Sequence, residues 1–197
     1  MRIEEFEKKK VDEVASELSS DPLVSVVVLA YNHEPFLRQC LDSILAQQTD
    51  FDFEIVIGED DSTDRTREIC MEYAKMYPDK IRLFLHHREN VIFINGKPCG
   101  RSNFAYNVSR TNGRYMAICD GDDYWTDPRK LAKQVQVLED DAGAVICFHN
   151  VRLMQNDQFE TDTRTREVPS ITDIYELAKG NFIHTTSVVY RNILKEF

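Results

Sequence analysis

Glycine and proline are scarce in this chain, 7 and 6 of 197 residues. There is no Pro/Gly/Ser-rich linker to divide it, and a hydrophobic content of 42% excludes disorder and low complexity. One core of ordinary globular size is expected. No apolar run reaches the roughly 18 residues needed to span a bilayer. The charged opening MRIEEFEKKK is not a signal peptide, and no repeat period is visible. Positive charge is also in deficit. Lys and Arg number 24 against 34 Asp and Glu, a formal net charge of −10. That argues against nucleic-acid partners, whose phosphates are bound by Lys and Arg releasing counterions. A phosphate-bearing ligand then requires a metal to carry the positive charge. The cysteines, Cys40, Cys70, Cys99, Cys119 and Cys147, are odd in number and widely spaced. They read as reduced core residues, which favours a cytosolic compartment.

What is present is an alternation of two periodicities. Residues 3–18 place Ile3, Phe6, Val14, Ala15 and Leu18 at roughly helical spacing before Pro22. This predicts an N-terminal accessory helix within residues 1–21, packed on the domain or self-associating into a homo-oligomer. LVSVVVLAYN then reads as a strand buried on both faces. HEPFLRQCLDSILAQQ follows as an amphipathic helix with Leu37, Cys40, Leu41, Ile44 and Leu45 on one side. FEIVIGED and STDRTREICMEYAKMYP repeat the unit. IRLFLHH, GRYMAICD, AVICFHNVRL and TTSVVYRN supply further strands, with helices expected over 129–139 and 170–179. The pattern predicts an α/β fold: a mostly parallel, Rossmann-like sheet flanked by helices, with ligands at the carboxyl ends of the strands.

Those ends are Tyr31-Asn32-His33, Glu59-Asp60-Asp61 and Asp120-Gly121-Asp122-Asp123. Crowded carboxylates must either raise their pKa values or share a cation, and hard oxygens spaced as in Asp120 and Asp122 suit Mg²⁺ or Mn²⁺. Gly121 between them allows a sharp bend or close ligand approach. Asp127 before Pro128 reads as the cap of the next helix. Ser62 or Thr63 reads as the cap of the helix after the second strand, and Asp64 as a complement to its dipole. His33 alone reads as a capping or packing residue. His184, in GNFIHTTS, is a strand-edge residue or a contact to acceptor or diphosphate.

Three segments, VSVVVLAYNHEPFLRQCLDSILAQ, FEIVIGEDDSTDRT and GRYMAICDGDDYWTDPRKLAKQV, resemble in order and spacing the family 2 glycosyltransferases of the GT-A fold. The resemblance spans about residues 22 to 192, and the three motifs together are far more specific than an isolated Asp-x-Asp. It implies transfer of a sugar, with inversion, from a nucleotide-diphosphate donor such as UDP-sugar to a glycan or lipid-linked acceptor hydroxyl. It implies Ala30, Tyr31 and Asn32 near the base, Asp60 or Glu59 on uracil or ribose, Asp120 on ribose or metal, and Asp122 as the main ligand of Mn²⁺ or Mg²⁺. It also implies polysaccharide biosynthesis by a cytoplasmic protein, free or peripheral at the inner face of the membrane.

Two departures stand out. Asp61 occupies a position where the family has Gly, Asn or another small residue. The family's general base, a further carboxylate, is expected beyond Phe197, since Asp157, Asp162 and Asp173 sit in loop or cap contexts. Residues 22–197 would then be a donor-binding domain with weak turnover or none. The alternative is a non-catalytic nucleotide-sugar-binding fragment or module. A phosphohydrolase of the haloacid dehalogenase type also uses Asp-x-Asp, but Tyr124 stands where its motif carries Thr or Val, and no companion Lys motif follows.

Overall fold

The computed structural model of the chain describes residues 7–18, 21–155, 158–160 and 169–192. A short strand β1 (Asp12–Val14) precedes β2 (Val24–Ala30), whose β-branched run is buried on both faces as its composition requires. Helix α1 (Leu37–Leu45) lays Leu37, Cys40, Leu41 and Ile44 against the sheet. Strand β3 (Phe53–Glu59) is buried throughout, and α2 (Thr66–Met76) covers it with Ile69, Cys70, Tyr73 and Ala74. Next come β4 (Ile81–Leu85), a hairpin of β5 (Ile92–Ile94) and β6 (Lys97–Cys99), and helix α3 (Arg101–Ser109). Strand β7 (Tyr115–Ile118) and helix α4 (Lys130–Asp140) follow, with the edge strand β8 (Ile146–Cys147). A second hairpin, β9 (Leu153–Gln155) and β10 (Gln158–Glu160), then a short α5 (Ile174–Ala178) and β11 (Val189–Arg191) complete the order.

The main sheet has the order β1-β4-β3-β2-β7-β11-β8. Its centre, β4, β3, β2 and β7, is parallel, while β1 pairs antiparallel with β4, β11 with β7 and β8 with β11. The sheet is therefore mixed, with the expected parallel strands confined to the middle. From β2 the chain winds outward through β3 to β4, then returns to lay β7 on the other flank of β2. That reversal opens a crevice beyond the carboxyl ends of β2, β3 and β7.

A buried polar network fixes the register of β7 against its neighbours. The Glu54 carboxylate, inside β3, accepts hydrogen bonds from Ser25 Oγ (2.5 Å) and the Asn112 amide (2.6 Å), and the Gly113 amide donates to Ser25 Oγ at 2.7 Å. The turn leading into β7 is thus tied to both central strands before the acidic loop begins.

Several sequence expectations change. The accessory helix expected over 3–18 is replaced at Asp12–Val14 by strand β1, paired with Leu85–Leu83, and Glu17 donates its amide to the Pro78 carbonyl. Val11, which lies off the helical stripe, is the residue that is buried, with Val56, Phe84 and Tyr106. The open edge of β4 offers unpaired backbone groups, and β-branched Val11 and Val14 favour the extended chain. Ile3 and Phe6 lie outside the described residues, as do Asp157 and Asp162. Among the described residues 7–18 there is no helix, so Val14, Ala15 and Leu18 do not share a helical face. The strand expected over AVICFHNVRL is only Ile146–Cys147, and Leu153 belongs to the separate β9–β10 hairpin. The helix expected over 170–179 shortens to Ile174–Ala178, capped by Asp173, whose side chain accepts from the amides of Tyr175 and Glu176.

Helix α3 and the β5–β6 hairpin were not legible as elements. The inward face of α3 carries Asn103, Tyr106 and Asn107 with only Val108 aliphatic, so no apolar stripe announces it. The hairpin turn Asn95-Gly96, both at positive φ, is an Asn-Gly signal that reading by hydrophobic blocks passed over.

Candidate nucleotide and metal site

The exits of β2 and β3 are stitched together. The Ala30 carbonyl accepts the Asp60 amide at 2.9 Å, which extends the ladder one step past the strands. Asn32 turns the chain at a positive φ of 54°, where Asn is tolerated better than most residues. Its amide donates to Ser62 Oγ (3.0 Å) and its Oδ1 accepts the Thr63 amide (2.9 Å). Ser62 and Thr63 therefore hold Asn32 and do not cap α2. That task falls to Asp64, which accepts the amides of Thr66 (2.9 Å) and Glu34 (3.1 Å).

The three acids after β3 separate into distinct roles. Glu59 is wholly buried; its carboxylate accepts the Ser62 amide (2.7 Å) and the Arg67 guanidinium, and it does not line the cavity. Asp61 sits at φ 59°, pairs with Arg67 at 3.3 Å and accepts the Arg88 amide at 3.3 Å. A left-handed turn position suits Gly or Asn first and Asp next, and a cation neutralises the extra charge, so the departure at Asp61 is absorbed locally. Asp60 alone faces the crevice. Burial pushes its acid up to about 6, with Arg88 opposing and the neighbouring Glu59 and Asp61 adding to the rise.

Arg88, just after β4, was missed in the sequence. Its guanidinium bonds Asp60 Oδ2 at 2.9 Å and stacks 4.3 Å from the centroid of the Tyr31 ring, which is 39% exposed. The only signal was a basic residue just after a strand, in a segment to which the sequence assigned no element.

Beyond β7, the Gly121 amide donates to the Leu29 carbonyl (2.9 Å) and the Asp123 amide to the Asp120 carbonyl (2.8 Å), a tight turn anchored on β2. Burial, then the charges of Asp123 and Asp122, raise the Asp120 acid to about 6. Asp123 is raised by burial and by Asp122, with His184 and His33 acting in the opposite direction. Gly121 is required by packing: a Cβ there would meet His33 Nδ1 at 2.7 Å and the Leu29 carbonyl oxygen at 3.0 Å. The close approach that the sequence assigned to a ligand is made by the His33 ring.

Together these exits enclose a crevice of about 130 Å³, lined by Leu29, Ala30, Tyr31, His33, Asp60, Asp120 and Asp122, with Gly100 and Asn103 at the start of α3. Asn103 is held by a bond from its Nδ2 to the Gly58 carbonyl (3.0 Å). Of the residues singled out in the sequence, Ala30, Tyr31, Asp60, Asp120 and Asp122 meet in one place. Asn32 and Glu59 build the turns behind them, and His184 stands outside the crevice beside Asp123. Asp127 bonds the Arg129 amide (2.9 Å) and Lys133, at the start of α4 as expected of a cap.

Among the described residues, no three His, Cys, Asp or Glu side chains form a closed metal cage. The donor set fits a hard divalent cation held by one or two carboxylates with its other positions left to ligand oxygens, since Asp120 is half-buried beside like charge and has no ion-pair partner among the described residues. A rigid clamp continues the loop: Trp125 Nε1 donates to the Thr186 carbonyl (3.0 Å), and the buried Lys130 ammonium lies 4.2 Å over the indole.

Comparison with known proteins bears on the family and the fold. An uncharacterized protein of Mycobacterium tuberculosis is 39% identical over 173 residues, 85% of this chain and 46% of that protein. The putative glycosyltransferase EpsE of Bacillus subtilis is 32% identical over 170 residues, 86% of this chain and 56% of its own length. The chain thus spans about half the length of the curated relatives it matches. Staphylococcus aureus TarS, solved with UDP, superposes at TM-score 0.60 and 19% identity over 88% of this chain and 48% of that one. The mannosyltransferase PcManGT of Pyrobaculum calidifontis, solved with GDP-Man and Mn²⁺, gives 0.59 and 21% over 98% and 51%. These two share the GT-A architecture of a mixed sheet flanked by helices. Residues 25–196 match the model of glycosyl transferase family 2, and the chain belongs to that family.

Proposed function

We propose that this chain is the donor-binding domain of an inverting, metal-dependent glycosyltransferase that takes its sugar from UDP. The observation that carries the reading is that Asp60 and Tyr31, the first bonded by Arg88 and the second stacked against it, line the same crevice as Asp120 and Asp122. An aromatic face and a carboxylate suit a pyrimidine base and its N–H. Paired hard oxygens suit a cation that bridges to a diphosphate.

Asp122 and Asp120 would hold Mn²⁺ or Mg²⁺. When bound, such an ion neutralises the charge that develops on a departing diphosphate. The chain's own residues do the rest on the donor side. Tyr31 and Arg88 orient the base, Asp60 accepts from base or ribose, and the anchored turn at Gly121 holds the two acids in place. The acceptor, a glycan or lipid-linked hydroxyl, would enter past His184, with polysaccharide biosynthesis as the setting. Among the described residues no helix is long and apolar enough to cross a membrane. All five cysteines are free thiols, and Cys40 Sγ donates to Cys119 Sγ at 3.8 Å with no disulfide between them, which supports a reducing, cytoplasmic setting.

A thermal-shift screen of nucleotide-sugars with and without Mn²⁺ tests this reading. Ligand at about a hundred times its Kd stabilises the fold by about 2.7 kcal/mol. UDP-sugars should shift the melting point with metal and much less in chelator, and a product assay then separates transfer from binding alone. Equal shifts with and without metal would overturn it.

A further inference from the structure

Among the titratable side chains that line the crevice, His33 alone has no task in the donor-site reading. Its backbone is fixed: the amide donates to Thr66 Oγ1 (2.8 Å), and the carbonyl accepts the amides of Phe36 and Leu37 (2.9 Å each) at the entry to α1. Its ring lies against Gly121, so closely that a Cβ at 121 would meet Nδ1 at 2.7 Å. Nδ1 is shut away from solvent and has no hydrogen-bond partner among the described residues. The other nitrogen, Nε2, faces the Asp122 carboxylate at 3.9 Å. The imidazole is near enough to Asp123 to bias that acid as well.

We infer that His33 is a positioning residue for Asp122: its imidazole presents Nε2–H to the Asp122 carboxylate and so sets the orientation of the metal ligand. The inference rests on the reading of Asp122 as a metal ligand. A proton on Nδ1 would be a buried donor with no acceptor in reach, whereas a proton on Nε2 points at a carboxylate. The packing therefore selects the Nε2–H tautomer. At 3.9 Å no hydrogen bond is yet made, but the Asp122 side chain is 54% exposed and free to close the gap. The ring is placed by a backbone pinned at the entry to α1, with Gly121 against its Nδ1 edge. Groups that orient a ligating carboxylate from outside the coordination shell typically matter by 10- to 100-fold in metal affinity. A glycine at 121 leaves room for the imidazole beside the Leu29 carbonyl.

Two measurements on the intact chain test this. In ¹⁵N-resolved spectra of the imidazole, His33 should show a bare Nδ1 and a protonated Nε2. In Mn²⁺ titrations followed by electron paramagnetic resonance with saturating UDP, His33→Ala should weaken Mn²⁺ about tenfold. His33→Gln, whose amide can still donate, should recover most of the loss. UDP affinity in chelator should be the same in all three proteins, which a merely structural role would not give. A protonated Nδ1, an unchanged Mn²⁺ affinity in His33→Ala, or equal losses with and without metal would each overturn the inference. A wild-type chain that binds no Mn²⁺ with UDP would overturn the donor-site reading and this one together. Binding by wild type with a silent His33→Ala overturns this one alone.

Discussion

The guanidinium of Arg88 lies 4.3 Å from the centre of the Tyr31 ring. Two residues separated by the whole β3–α2–β4 unit thus make one flat surface, and Asp60 is hydrogen-bonded to its edge at 2.9 Å. A platform with a carboxylate at its rim is suited to a planar base with N–H groups. Replacing Tyr31 by Ala should cost about 1–3 kcal/mol of uridine affinity, the usual range for stacking of a base on an aromatic side chain. Arg88→Ala should also weaken uridine, and calorimetry with the nucleoside alone would show it. Undiminished uridine binding in Tyr31→Ala would place the base elsewhere.

Asp60 gives that binding a pH dependence. Its acid is raised to about 6, chiefly by burial, so the carboxylate that accepts an N–H is lost as pH falls through about 6. Uridine affinity should be steady above pH 7 and decline below 6. Asp60→Asn should be weak at every pH and flat across that range. A wild-type profile as flat as the mutant's would remove Asp60 from the contact.

Much of this site was readable from the chain alone. Three polar clusters at the ends of three apolar runs pointed to Tyr31, Asp60, Asp120 and Asp122 because strand exits are where a parallel sheet presents its ligands. What was not readable depends on distance in the fold. Arg88 comes from a strand whose exit looked featureless, and Asn103 from a helix whose buried face is amide and not aliphatic. Glu59 and Asp60 are neighbours in sequence, and only the pleat decides that one is buried against Arg67 while the other meets the crevice. The N-terminal strand was misread because apolar residues spaced for a helix can equally be drawn out along an open sheet edge.

Helix α3 reaches β3 only because residue 58 is glycine. A Cβ there would fall 1.9 Å from both Asn103 Oδ1 and Asn107 Nδ2. Gly58→Ala should destabilise the fold by about 1–3 kcal/mol, as overpacking of a tight core does. Denaturant melts should show a lower midpoint with unchanged slope, and a wild-type midpoint would mean that α3 does not seat as described.

Lys130 carries a cost that mutation should expose. Burial pushes its ammonium down to about 7, and Nζ has no hydrogen-bond partner among the described residues, though the Trp125 ring beneath offsets part of that cost. The unfolded chain holds this proton up to about 10.5, so between about 7 and 10.5 the unfolded state binds more protons. Stability attributable to Lys130 therefore rises with pH across that window, by up to about 1.4 kcal/mol per pH unit. Lys130→Met should be as stable as wild type or more stable at pH 7, and the difference should shrink toward pH 10. A mutant that is less stable at pH 7 would show that the ammonium has a partner in solution.

In the proposed function, Asp122 holds a divalent cation that joins the chain to a nucleoside diphosphate. Calorimetry of UDP binding to wild type and to Asp122→Ala, each in Mn²⁺ and in chelator, tests it most directly. Asp122 is half-exposed in a loop, so its removal leaves the core intact. UDP should bind wild type tightly in Mn²⁺ and weakly in chelator, while Asp122→Ala should bind weakly and equally in both. A mutant that keeps the full metal-dependent gain in UDP affinity would contradict the account.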